Sequence, residues 1–213
     1  LLNNSIDRPL NNRALRGVYP PGSTFKPFMA LAALELGKRT PEYSMSDPGY
    51  FSLPGVERRY RDWKPGGHGR VDLHKSLVVS CDAYYYSLAN DLGIDNIHNF
   101  IGQFGLGKKT GIDIEGEVSG LLPSSAWKMS QYKQKWYAGD TISVAIGQGY
   151  NLTTPLQLAF ATMIIANNGK AYLPRLVKQI QNSETGDVED IPEKLLYSLN
   201  LKSRNLEIIK NAL

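Results

Sequence analysis

The segment Tyr19-Pro20-Pro21-Gly22-Ser23-Thr24-Phe25-Lys26-Pro27 constrains this chain more than any other. Pro20, Pro21 and Gly22 block helix up to Ser23. From Phe25 to Leu36 the residues are apolar and Ala-rich, until Gly37 ends the run. The spacing predicts a helix over 23–36. Pro27 suits its first turn, where N–H groups have no intrahelical acceptor to lose. Ser23 and Lys26 then share a face, so the amine can reach the hydroxyl and take its proton. A first-turn serine also lies at the positive end of the helix dipole, which favours developing negative charge. Taken alone, S-x-x-K is more often a helix cap followed by a solvated lysine.

A second motif changes that balance. Ser80-Cys81-Asp82 follows Leu77-Val78-Val79 and precedes Ala83-Tyr84-Tyr85-Tyr86-Ser87-Leu88-Ala89. This reads as a short loop between two helices, with Ser80 and Asp82 pointing the same way. A second hydroxyl near Ser23 and Lys26 could relay a proton to a leaving amine, and Asp82 could orient it or hold the lysine. A plain helix N-cap is the alternative.

Together the motifs resemble the penicillin-binding protein and serine β-lactamase superfamily, whose set is S-x-x-K, S-D-N and K-T-G. The resemblance extends over about residues 1–175. It is carried by Gly17 to Pro27, Arg59-Tyr60-Arg61-Asp62-Trp63, Gly67-His68-Gly69-Arg70, Thr110-Gly111-Ile112-Asp113, Trp136-Tyr137-Ala138-Gly139-Asp140-Thr141 and Gly147-Gln148-Gly149-Tyr150. Within the superfamily it points to the class B D,D-transpeptidases of the bacterial rod-elongation machinery. The fold implied is α+β, a penicillin-binding-protein/serine β-lactamase-like transpeptidase fold. By this resemblance Ser23 attacks the D-Ala-D-Ala carbonyl of a peptidoglycan stem peptide, and a neighbouring stem's amine captures the acyl-enzyme. Lys26 is the base, Ser80 the relay, and Asp82 stands where the named set has Asn. β-Lactam antibiotics would trap Ser23, and the chemistry requires no cofactor. The implied partners are a membrane glycosyltransferase and rod-shape scaffold proteins. The implied location is the bacterial inner membrane, with the catalytic domain in the periplasm.

The third motif is expected on a strand well after Gly147-Gln148-Gly149, and no Lys-Ser/Thr-Gly follows there. Lys109-Thr110-Gly111 sits in the turn Phe104 to Asp113 instead and is read as a decoy. Residues 1–213 are therefore expected to be a partial transpeptidase domain, the helix-rich part. The membrane anchor, a stalk domain and the third-motif strand would lie outside it, leaving sheet edge and apolar face exposed.

Cys81 lies inside the second motif, and Asp47, Asp62 and His68 precede it. A thiolate, an imidazole and two carboxylates form a zinc-type donor set. They frame a loop-rich excursion, 41–70, with few apolar anchors, so a structural zinc could tie it to the Ser80 loop. The spacing matches no zinc signature. A small buried cysteine, a loop histidine and turn-forming aspartates are the simpler account of it.

At 213 residues and 42% hydrophobic, the chain can fill one core, and 20 Gly and 12 Pro predict many loops. The net charge of +4 is spread without runs, which argues against nucleic acid and suits an anionic wall polymer or bilayer. A single cysteine excludes an internal disulfide. Residues 1–19 read as an extended lead-in with polar turns at Asn3-Asn4-Ser5 and Asn11-Asn12. Short strands are expected around 50–60, helices over 73–79, 83–91, 95–103, 154–167 and 203–212, and loops over 110–127. A strand is expected over 171–181 and a turn at Ser183–Asp187. Tyr60, Arg61 and Trp63 either line a substrate groove or pack locally. Asp140-Thr141 and Gly147-Gln148-Gly149 either floor Ser23 or form an ordinary strand-to-helix turn. Other readings remain open: a D,D-carboxypeptidase or β-lactamase-like hydrolase, a β-lactam sensor, and a non-catalytic cell-wall scaffold.

Overall fold

The computed structural model describes residues 10–213. Its centre is α2 (Lys26–Glu35), entered through a 3-10 turn at Gly22–Phe25 and preceded by the single turn α1 (Arg13–Arg16). Met29, Ala30, Leu31, Ala32 and Ala33 are all fully buried, so α2 is covered on every side. Around it pack α3 (Leu73–Val78), α4 (Asp82–Leu92), α5 (Ile94–Ile101) and α9 (Ser203–Lys210). The core also takes Tyr84, Tyr85 and Leu88 from α4, and Ile97 and Ile101 from α5.

Among the described residues, four antiparallel pairs of short strands flank the helices. In the excursion, β1 (Ser44–Asp47) pairs β4 (Gly69–Asp72), and inside it β2 (Tyr50–Ser52) pairs β3 (Arg59–Arg61). Later, β5 (Lys170–Tyr172) pairs β8 (Leu195–Ser198), and β6 (Gln179–Gln181) pairs β7 (Val188–Asp190). Ile180, Val188 and Leu195 on these late strands are exposed. Among the described residues no helix is long and apolar enough to cross a membrane.

The expected helices form at α2, α3, α4, α5, α8 (Pro155–Ala166) and α9. α8 starts where a capping box predicts: Gln157 N–H donates to Thr154 Oγ1 at 3.1 Å and Thr154 N–H to Gln157 Oε1 at 3.0 Å. The expected strand over 171–181 is instead two strands. Pro174 lies between them, lacks an N–H and cannot donate to a ladder. The expected lead-in includes α1, and the turn at Asn3-Asn4-Ser5 lies outside the described residues. The sequence reading assigned no element to α6 (Ser125–Tyr132), whose start it placed in a loop, nor to α7 (Ala138–Ala145).

α7 ties the helical core to the Ser23 turn. It packs along α4, buries Ile142, Val144 and Ala145, and delivers Gly147 to the start of that turn. There Gly22 N–H donates to Gly147 O at 2.9 Å. Gly147 holds φ of +68°, and a Cβ on it would stand 2.2 Å from Gly22 O. Gly147→Ala therefore combines left-handed strain with backbone overlap, together about 3 kcal/mol. Differential scanning calorimetry should show the domain's Tm lowered by roughly 5–10 °C. An unchanged Tm would show that the two turns do not depend on this close approach.

Candidate active site

The 3-10 turn holds Ser23 at the mouth of α2, and Lys26 is the first residue of α2 proper. Lys26 is only 1% exposed, although it carries the amine. Opposite, the α3–α4 loop presents Ser80, and Asp82 opens α4. The Lys26 amine donates to Asp82 Oδ1 at 2.6 Å, to Ser80 O at 2.8 Å and to Ser80 Oγ at 3.0 Å. Ser80 Oγ in turn donates to Ser23 Oγ at 2.9 Å. A lysine has three protons, and all three are placed.

The structure thus brings together all four predicted residues, with one correction. The amine was expected to reach Ser23 directly; among the described residues it bonds Ser80 and Asp82 instead. Asp82 and the two Ser80 oxygens saturate it, so Ser80 stands between the amine and Ser23. Chemically, such a line can carry a proton from Ser23 Oγ through Ser80 Oγ to the amine once the amine has released one of its own and the two bonds have reversed.

Ser80 is held in the left-handed region at φ of +53°, one of three non-glycine residues with positive φ among those described. This turn aims its carbonyl and hydroxyl at the same amine.

The second predicted cluster also assembles. Ligand atoms of Asp47, Asp62, His68 and Cys81 all lie within 4.8 Å of one another. The side chains of Asp47 and Asp62 are fully buried, and His68 is the only basic residue within ion-pair distance of either among the described residues. His68 Nδ1 lies 2.9 Å from Asp47 Oδ2 and 3.4 Å from Asp62 Oδ1. His68 Nε2 is buried without a partner. Cys81 Sγ donates to Asp47 Oδ2 at 3.4 Å. Burial works against the Asp47 carboxylate, but donation from Gly49 N–H, from the His68 ring and backbone, and from Cys81 outweighs it and holds its pKa below the usual range. Burial, reinforced by the Asp47 and Asp62 charges, pushes the Cys81 thiol far up despite the Tyr84 N–H.

The cluster grips the catalytic loop. Ala83 N–H donates to Asp62 Oδ2 at 3.0 Å, and Trp63 Nε1 donates to Val79 O at 3.1 Å. Lys75 was not singled out from sequence, yet its amine donates to His68 O at 2.9 Å and Arg70 O at 2.8 Å. Nothing in its spacing signals this. Asp140, read from sequence as floor beneath Ser23 or part of an ordinary turn, accepts from Tyr137 N–H at 3.0 Å at the start of α7 and from the Lys128 amine at 2.5 Å. Lys109-Thr110-Gly111 lies on a loop, not a strand. Thr110 and Gly111 N–H groups donate to the Glu117 carboxylate at 2.6 and 3.0 Å.

A serine hydroxyl backed by a buried lysine and a bridging second serine, on an α+β scaffold, is the arrangement of the serine acyl-transfer proteins. The family model of the penicillin binding protein transpeptidase domain matches residues 2–213, and the chain belongs to that family. It is 48% identical to the peptidoglycan D,D-transpeptidase MrdA of Acinetobacter baumannii over 192 residues, 90% of this chain and 29% of that protein. The crystal structure of Pseudomonas aeruginosa PBP2 in complex with WCK 5153 superposes with a TM-score of 0.89 at 41% identity, over 99% of this chain and 47% of that one. A complex of penicillin-binding protein PBP2 with MreC from Helicobacter pylori gives 0.82 at 32% identity, over 98% and 36%. The chain spans about 29% of the length of the MrdA relative.

Ser80 allows strain and chemistry to be separated. Ser80→Gly relieves the left-handed backbone and Ser80→Ala does not, whereas both delete the bridging hydroxyl. Ser80→Gly should be the more stable by roughly 0.5–1 kcal/mol in urea unfolding, after the unfolded-state entropy cost of glycine is subtracted. Both should lose acylation of Ser23. An active Ser80→Gly would remove Ser80 from the proton path.

Proposed function

We propose that this chain carries the nucleophile half of a peptidoglycan D,D-transpeptidase that cross-links stem peptides through an acyl-enzyme on Ser23. The observation that carries the reading is the unbroken line Asp82–Lys26–Ser80–Ser23. Ser23 Oγ attacks the carbonyl of the penultimate D-Ala. For the Ser23 proton to pass to Ser80 Oγ and the Ser80 proton to the Lys26 amine, the amine must first release a proton to solvent and the two bonds, which here run from Lys26 to Ser80 and from Ser80 to Ser23, must reverse. The proton then returns through Ser80 to the amine of the departing D-Ala, and the acyl-serine awaits an amine of a second stem. Asp82 holds Lys26 in line, and no cofactor takes part. β-Lactams offer an activated amide to the same serine.

The reading extends to setting and partners. The similarity to MrdA proteins and to PBP2 in its MreC complex supports an inner-membrane enzyme with its catalytic domain in the periplasm, working with rod-shape scaffold proteins and a membrane glycosyltransferase.

Asp47, Asp62, His68 and Cys81 would hold a structural zinc. Their donors are of the type zinc selects, and two buried carboxylates beside one histidine leave negative charge that a dication would balance. A bound cation would also draw the Cys81 proton off.

Intact mass after incubation with a penicillin tests the catalytic reading on the full-length protein. A stable adduct is expected, absent from Ser23→Ala. No adduct would leave the scaffold reading, and an adduct lost within minutes would indicate a hydrolase. For the metal, elemental analysis should return one zinc per chain, lost from Cys81→Ala and His68→Ala, and chelation should lower the Tm. Metal-free protein of unchanged Tm would refute the site.

A further inference from the structure

Arg58, Arg59 and Arg61 crowd into four residues at β3, and all three are exposed. Among the described residues no carboxylate pairs with any of their guanidinium groups, neighbouring Glu57 included. Two of them are nevertheless held in place. The Arg58 guanidinium lies 5.0 Å over the Tyr60 ring and that of Arg59 lies 4.5 Å over the Tyr50 ring. Stacking of this kind fixes the guanidinium plane while leaving its N–H edge free.

These residues form one wall of a cleft of about 230 Å³. Tyr86 stands behind them: its ring lies 5.8 Å from that of Tyr60 and its hydroxyl donates to Arg61 O at 3.3 Å. The facing wall is Ser143, Ile146 and Gln148. Both walls lead to the reacting centre. Gln148 adjoins Gly147, whose carbonyl accepts from Gly22 beside Ser23. Tyr86 lies one turn along α4 from Asp82.

We propose that this cleft is a substrate subsite that binds a carboxylate of the stem peptide upstream of the reacting D-Ala-D-Ala. The proposal rests on the transpeptidase reading of Ser23. Unpaired, stacked arginines fit a carboxylate with two parallel N–H donors, a match in geometry that a lysine cannot supply. The volume lies below the usual range for a whole ligand and suits one anionic group of a longer chain running past Ser23. The subsite adds no chemistry; it sets which stem peptide reaches the nucleophile.

The test uses full-length protein and two soluble stem peptides ending in D-Ala-D-Ala, one with its upstream carboxylates free and one with them amidated. Each competes against acylation of Ser23 by a fluorescent penicillin. The free acid should compete about tenfold better, a difference of about 1.4 kcal/mol. The preference should fall to near unity in Arg58→Gln/Arg59→Gln/Arg61→Gln and shrink in high salt. Should the triple variant not fold, Arg59→Gln and Arg59→Lys serve instead; the lysine should retain part of the preference. Equal competition by the two peptides on the native protein, or a preference that survives the substitutions, would overturn the subsite while leaving Ser23 acylation intact. Inorganic pyrophosphate competing as well as the free acid would overturn it in favour of a phosphate site. Failure of the native protein to form any Ser23 adduct would overturn the transpeptidase reading and the subsite with it.

Discussion

A lysine amine buried in the core needs polar partners, and the one that Asp82 supplies ties the two central helices together. Lys26 is 1% exposed on α2, and Asp82 answers it from α4 at 2.6 Å. Removing one member of a buried pair typically costs about 3–5 kcal/mol, because the other charge is left without compensation. The pair therefore fixes how α4 sits on α2. It also recruits Ser80, whose carbonyl and hydroxyl take the two remaining lysine protons. Both contacts are made with Ser80 in the left-handed region. The group best placed to move a proton is thus also a structural tie. Substitution of Lys26 would disturb both roles together, whereas Ser80 separates them.

The excursion from β1 to β4 braces the same helix from outside. It places few apolar side chains in the core, Leu53 and Val71 among them. Its order comes instead from polar ties: Asp62 to the Ala83 N–H, Trp63 to the Val79 carbonyl, and Lys75 to the His68 and Arg70 carbonyls. Segments held this way open at lower free energy than packed helices. The buried Asp47 and Asp62 carboxylates add to that liability unless a cation lies among them. A ligand that binds only the folded arrangement stabilises it by mass action. Rigidity of the Ser80 loop would then be coupled to metal occupancy, although no metal donor touches Ser23.

Much of the site was legible in the sequence because its signals are local. Pro20-Pro21-Gly22 marks where a helix can start, and Ser23 and Lys26 follow at fixed spacing. The aspartates, His68 and Cys81 were recognisable by donor type alone, and the fold brought them within 4.8 Å. What stayed hidden depends on partners distant in sequence. α7 opens with Ala138-Gly139-Asp140-Thr141, whose glycine weakens a helical pattern. It is held by Asp140 pairing with Lys128 and by packing on α4. Ser80 as a relay and Asp82 as a holder of the lysine were both readable; what spacing could not show is that Ser80 stands between Lys26 and Ser23, because the acceptors that claim the lysine's protons come from another loop.

The two kinds of cation in this site obey opposite rules, and the contrast explains why composition alone could not rank them. Lys26 is out of water, so its partner had to be built into the fold. Arg58, Arg59 and Arg61 remain exposed, where an unpaired charge costs little and a pair contributes little. Aromatic stacking orients two of them without neutralising either. An internal acid would have occupied the guanidinium edges and offered almost no stability in return. Left open beside the Ser23 turn, the same edges keep their full capacity for an anion that arrives from outside.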